Sequence, residues 1–250
     1  MTILNVAAYR FVRIDDAADL AVRLRERLAA QGLRGSVLLA PEGINAFLAG
    51  EPQTLRAAVR ELMTDTRFAD LSCKWSESSA MPFRKLLVKC KREIIRFDRP
   101  EIDPAAGRAP NVDPITLQRW LAQGRDDSGR ELALLDTRNQ QEVAHGTFTG
   151  ALTLPIVQFT QFPAAIEAQR EALSDKTIVS FCTGGIRCEK AALWMTSAGF
   201  SNVLQLEGGI LGYFEKAGGF GYQGRCFVFD ERVSLDAQLR APDSDVVEGQ

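Results

Sequence analysis

The chain has 250 residues, 46% apolar and 25% charged, with a formal net charge of −2. That length holds two modest domains, each with its own core, and the balance is that of an ordinary globular chain. It excludes a global pull toward polyanions, so any such site must be a local patch, and no apolar run reaches the roughly 18 residues needed to cross a bilayer.

The first residues, Met1 to Asn5, lack the charged start and cleavage site of a signal peptide, so the cytoplasm is the expected compartment. Five cysteines without dense spacing fit free thiols in a reducing environment. They lack paired C-x-x-C spacing, and His145 is the one histidine, so no metal site is expected. His145 reads as a surface loop residue.

Ile3 to Val12 is β-branched and apolar and predicts a strand. Leu20, Leu24 and Leu28 recur every four residues within Ala17 to Ala30, an amphipathic helix ended by Gln31-Gly32. Ser36 to Ala40 and Ile44 to Leu48 flank the turn Pro41-Glu42-Gly43 and predict a hairpin. A second helix begins at Glu51-Pro52, with Leu55, Val59 and Leu62 on one face. Leu71 to Ser76 predicts a short strand and Leu86 to Phe97 a long one. This order predicts a ferredoxin-like α+β domain over residues 1–98. Asp98 to Asp113, with three prolines and few apolar residues, predicts a linker, residues 99–113.

A second domain, residues 114–220, opens with a short helix that carries Ile115, Leu117, Trp120 and Leu121 and ends at Gly124. Leu132 to Leu135 is the unbroken apolar run of a doubly buried parallel strand. A helix from Phe162-Pro163 through Ala172, a strand at Thr177 to Phe181 and a strand at Val203 to Leu206 complete a parallel α/β pattern. Residues 221–250 form an extension whose acidic tail from Ala241 is expected to be disordered.

The chemistry concentrates in Cys182-Thr183-Gly184-Gly185-Ile186-Arg187-Cys188. The cysteine ends a strand, and the loop opens onto a helix. Gly184 and Gly185 let backbone N–H groups curl inward, the helix N-terminus adds partial positive charge, and Arg187 adds a cation. All three favour the Cys182 thiolate, the nucleophilic form. Cys188, at the helix start, either resolves an oxidised Cys182 through a disulfide or only packs. Cys73, Cys90 and Cys226 read as core or strand residues. Arg84, Lys85, Lys89, Lys91, Arg92, Arg96 and Arg99 place seven cations within sixteen residues. On one strand, Lys85, Lys89 and Lys91 share a face, with Trp75, Phe83 and Phe97 nearby to stack on bases. The same pattern also fits a solvated sheet face with core aromatics. Asp136 and Arg138 read as a structural ion pair at a strand end or as active-site groups, and Asn45 is open in the same way.

The loop from Cys182 to Arg187 resembles that of the rhodanese superfamily, in which four residues separate cysteine and arginine. Cysteine phosphatases use a loop one residue longer, so a phosphatase is disfavoured. Asp136-Thr137-Arg138, Gly146 to Ala151 and Gly199 to Ile210 extend the resemblance. The chain is similar, over about residues 1 to 235, to a narrower bacterial family: rhodanese-domain, oxygen-dependent tRNA uridine hydroxylases. Cys182 to Glu189, Pro41 to Asn45, Lys85 to Lys89 and Gly224 to Arg232 carry that likeness. It implies hydroxylation at C5 of the wobble uridine, with tRNA as partner, molecular oxygen as co-substrate and an unspecified reductant. By analogy, Cys182 would attack C6 of the base. No flavin, haem or iron motif is present, so no resident cofactor is expected. Longer members continue into a cysteine-rich segment that this sequence lacks. A sulfurtransferase carrying a persulfide on Cys182, and a non-enzymatic regulatory module, are the competing expectations.

Overall fold

The structure, a computed structural model, describes residues 2–242. Most of the acidic tail therefore lies outside the described residues. Within the first unit run β1 (Ile3–Phe11), α1 (Ala17–Ala30), β2 (Arg34–Ala40), β3 (Gly43–Gly50), α2 (Pro52–Leu62), β4 (Ser72–Ser78) and β5 (Leu86–Cys90). The sheet order is β4-β1-β3-β2-β5, antiparallel except for the β2–β5 pair. The first four strands and two helices follow the ferredoxin-like order, and β5 adds a parallel edge.

Alternation along β1 divides the sheet into two faces. Leu4, Val6 and Ala8 join Leu20, Leu24 and Leu28 of α1 in one core. Asn5, Ala7 and Tyr9 point the other way, opposite Ala49, Phe47 and Asn45 of β3 and beside Ser76 and Lys74 of β4. This second face carries no helix. It turns toward the second unit.

The expected long strand from Leu86 to Phe97 is shorter than the sequence suggests. Its partner β2 ends at Ala40, so the ladder ends with the Lys91 N–H donating to the Leu39 carbonyl at 2.7 Å. The chain then turns: the Ile94 N–H donates to Glu42 Oε1 at 2.8 Å, and the Phe97 and Asp98 N–H groups donate to the Glu93 carboxylate. Lys89 therefore lies on β5 with Lys85 and Lys91 flanking it, whereas Arg92, Arg96 and Arg99 lie beyond the strand. Phe97 is buried in the second unit and stacks on Phe159 at 4.7 Å, so it cannot receive a base.

The second unit contains β6 (Asn111–Val112), α3 (Pro114–Gln123), β7 (Leu132–Asp136), α4 (Gln140–Val143), β8 (Gly146–Phe148), β9 (Leu152–Thr153), α5 (Phe162–Glu167), β10 (Thr177–Phe181), α6 (Ile186–Ser197), β11 (Val203–Leu206), α7 (Gly209–Ala217), β12 (Tyr222–Gly224), β13 (Cys226–Phe227) and β14 (Ser234–Leu235). Its sheet is parallel, β6-β11-β10-β7-β9, with β10 at the centre and buried throughout. The helix expected to reach Ala172 stops at Glu167, and a separate single turn follows at Glu171–Leu173. Strand β12 pairs with β8, and Cys226 and Leu235 are buried with Phe148 in the same core.

Candidate active site

Cys182 follows the last residue of β10 and is fully buried. The loop after it is held from several sides. The Gly185 N–H donates to Cys182 Sγ at 3.1 Å. The Ile210 and Leu211 N–H groups at the start of α7 donate to the Cys182 and Thr183 carbonyls at 2.9 and 3.0 Å. The Thr183 hydroxyl donates to the Phe227 carbonyl at 3.4 Å. Gly209 has φ +62, and a Cβ there would lie 2.4 Å from the Cys182 carbonyl oxygen. No side chain fits between α7 and the cysteine loop.

Burial alone would raise the Cys182 thiol. The Cys188 hydrogen bond, the Arg187 charge and the Arg187 and Gly185 N–H groups outweigh it and hold the thiol down to about 6. Cys188 moves the opposite way: burial and the neighbouring Cys182 push its thiol up. Its sulfur lies 3.7 Å from the Thr137 hydroxyl, inside the first turn of α6. The two neighbouring thiols are thus pushed in opposite directions, Cys182 down and Cys188 up.

Arg187 is not free to grip a phosphate with its whole fork. Nη1 and Nη2 donate to Glu142 at 2.5 and 2.6 Å, both side chains being buried. Glu142 also accepts the Asn139 N–H at 3.1 Å. Burial alone would raise the Glu142 carboxyl, but pairing with Arg187 brings it below its ordinary value. Glu142 escaped the sequence reading: its spacing from Asn139 signals a helix start, and only folding brings it to Arg187. Asp136 and Arg138 form a buried ion pair, and Asp136 also accepts from the Thr147 hydroxyl at 2.7 Å.

The first unit builds the opposite wall. A cleft of about 440 Å³ lies between its open sheet face and the cysteine loop. Tyr9, Asn45, Phe47, Lys74 and Phe83 line it from one side, and Cys182, Thr183, Gly184, Ile186 and Arg187 from the other. Gly185 has φ +99 and faces the Tyr9 hydroxyl so closely that a Cβ would stand 2.9 Å from it. That hydroxyl donates to Glu189 at 3.1 Å, and Glu189 also accepts from Arg108 and Gln205. Lys74 lies over α7, where a Cβ on Gly208 would come within 2.8 Å of its Cε.

Of the expected RNA-binding residues, Arg84, Lys85, Lys89, Lys91 and Arg92 are all exposed, and none lines the cleft with Cys182. Arg84 donates to Glu231 at 2.8 Å. The cations of the cleft are Lys74, Arg96, Arg187 and Arg232. Trp75 is half-buried and borders the cleft, but its side chain packs against the first core and lies under Arg56 at 5.0 Å. Phe83 does line the cleft. Cys226 is buried, Cys73 half-buried and Cys90 exposed at the end of β5. His145 is half-buried, its ring 5.2 Å from that of Phe227.

The second unit and its four-residue loop between Cys182 and Arg187 define a rhodanese-like domain, and the rhodanese-like domain family matches residues 117–216. The UPF0176 acylphosphatase-like domain matches residues 3–94. A tRNA uridine(34) hydroxylase of Bordetella pertussis is 62% identical over 237 residues, covering 95% of this chain and 97% of that one. One of Variovorax paradoxus is 61% identical over 243 residues, covering 97% and 92%. An NMR structure of a rhodanese-like domain from Anabaena is 22% identical, covers 46% of this chain and 80% of its own, and has a TM-score of 0.38. The chain belongs to the tRNA uridine(34) hydroxylase family.

Proposed function

We propose that this protein hydroxylates C5 of the uridine at position 34 of tRNA, using molecular oxygen and the thiolate of Cys182. The observation that carries the reading is a cysteine whose sulfur accepts the Gly185 N–H, in a cleft walled by both units. The chain's near-full-length relatives are named for that reaction. About 440 Å³ suits a small flat ligand, and an anticodon-loop base is unpaired, so swinging it inward costs little.

In this reading Cys182 Sγ adds to C6, and C5 becomes electron-rich. C5 passes electrons to oxygen and forms a C5 hydroperoxide. A two-electron donor splits the O–O bond, leaving the C5 hydroxyl and water. Loss of the C5 proton and departure of the thiolate restore the C5–C6 double bond. Arg187, held by Glu142, keeps the sulfur anionic between turnovers. The chain's own residues supply the nucleophile and its electrostatics, with no resident cofactor in the scheme. The cytoplasm, where tRNA is found, is the proposed compartment.

Nucleoside mass spectrometry on tRNA from cells lacking the gene tests this directly. Wild type should restore 5-hydroxyuridine derivatives and Cys182→Ser should not. Restoration by Cys182→Ser would remove the thiol from the reaction. A sulfurtransferase reading draws on the same loop, because its N–H groups also suit a persulfide. The cleft, however, is far larger than one sulfur atom requires.

A further inference from the structure

On the reading that the cleft receives an unpaired uridine, we propose that its rim is a stacking platform for the flanking nucleotides, with Phe229 as the principal aromatic and Phe83 as the second. Phe229 lines the same cleft as Cys182, yet it is 56% exposed. It shares that lining with Phe83 and with the exposed Val157, and grouped apolar exposure marks a binding surface.

The ring is held in place. It packs edge-on against Phe227 at 5.1 Å and 87°, and Phe227 packs against His145. The turn that carries it is closed by the Val228 N–H donating to the Val233 carbonyl at 2.9 Å. Across the boundary between the units, the Glu231 N–H donates to the Pro82 carbonyl at 3.1 Å and Arg84 donates to the Glu231 carboxylate. These contacts set the loop of Phe83 beside the turn of Phe229. Both units therefore build one rim, and Cys182 lies beneath it.

Charge selects the occupant. The chain carries a net −2, and of the four cations in the cleft lining Arg187 pairs with Glu142, Arg232 with Asp230 and Arg96 with Asp98, which leaves Lys74 to meet an added anion. Lys74 donates only to the Ser72 hydroxyl and meets no carboxylate within 4 Å among the described residues. Exposed aromatic faces beside cations are the recognition surface of single-stranded RNA: bases stack and phosphates meet the charges. Withdrawing one base from an ordered loop strips its neighbours of a stacking partner, and the rim supplies a replacement.

The test is the Kd of the full chain for a fluorescein-labelled anticodon stem-loop with uridine at position 34, read by anisotropy. Phe229→Ala and Phe229→Leu should each weaken binding about tenfold, the worth of one stacked base. Phe229→Trp should stay within about twofold of wild type. Leu and Trp keep bulk at the site, and the Tm of each variant checks its fold. Wild-type affinity in Phe229→Leu would overturn the platform, as would a changed oligomeric state in Phe229→Ala, which would assign the ring to a contact between copies. If wild type itself fails to bind the stem-loop, the functional reading falls and the platform with it. If wild type binds and the variants match it, the platform alone falls.

Discussion

Lys190, three residues beyond Arg187 on α6, places its ammonium 2.8 Å from the Glu42 carboxylate of the β2–β3 turn and 2.6 Å from that of Glu93. It also donates to the Ile95 carbonyl at 3.1 Å. The helix that begins at the cysteine loop is thereby tied to the first unit. The preceding residue, Glu189, makes a second tie through Tyr9 and Arg108. The cleft exists because these pairs close it.

Lys190→Met should destabilise the protein by about 3–5 kcal/mol, because it leaves two carboxylates facing each other without their cation. Burial already raises the Glu42 carboxyl despite Lys190. A carboxyl raised in the folded state favours folding at low pH and loses that contribution as pH rises through its folded value. The deficit of the variant should therefore be larger at pH 7 than at pH 5, as urea denaturation at the two values will show.

The Cys182 thiol, held at about 6, should titrate well below an ordinary cysteine. Thiolate absorbance, taken as the difference between wild type and Cys182→Ser, should rise through pH 6. The thiolate is the reactive form, so activity should climb along the same limb. Arg187→Met removes the cation and should move the midpoint toward the ordinary 9.0. A midpoint unmoved by that change would assign the depression to the Cys188 hydrogen bond and the loop N–H groups.

Cys188 has two readings, hydrogen-bond donor and resolving thiol, and one pair of variants separates them. Cys188→Ser keeps a donor beside Cys182, whereas Cys188→Ala does not. If the donor is what matters, Ser should keep the thiolate midpoint near 6 and most of the activity, and Ala should raise the midpoint. If a disulfide is required, both variants should lose turnover equally.

Gly209→Ala should damage the site without touching a reacting atom. Its Cβ would overlap the Cys182 carbonyl at 2.4 Å and the Gly185 nitrogen at 2.6 Å, at a φ of +62. A cost on the order of 2–3 kcal/mol follows from strain and overpacking together. Thermal melting should report that loss, and the rate of Cys182 alkylation should change with it. Gly199→Ala, where a Cβ meets nothing within 4 Å at φ +85, provides the comparison for backbone strain alone.

Legibility followed the range of the interactions. The Leu20-Leu24-Leu28 face, the turn at Pro41-Glu42-Gly43 and the buried strand ending at Cys182 rest on neighbours in the chain, and all appear as expected. The strand expected over Leu86–Phe97 stops at Cys90 because its length depends on where β2 stops. Phe97 lies in the basic run but is committed to the core of the second unit. Phe229 gave no local signal, because its exposure is a property of the closed cleft.

The sequence by itself determined the cysteine loop: a strand, two glycines, an arginine and a helix start, whose N–H groups must converge on Cys182 by chain geometry alone. It also determined the order of elements in the first unit, since apolar periodicity is a local property; in the second, the short β6, α4, β8 and β9 carry no such period, and β6 falls where a linker was expected. Tertiary structure decided which charges meet. The Tyr9–Glu189 bond spans 180 residues and the Lys190–Glu42 pair 148. A buried charge requires an opposite one, but sequence states only that both exist. Packing the two units chose the partners, and in doing so it turned the open sheet face into the wall above the thiolate.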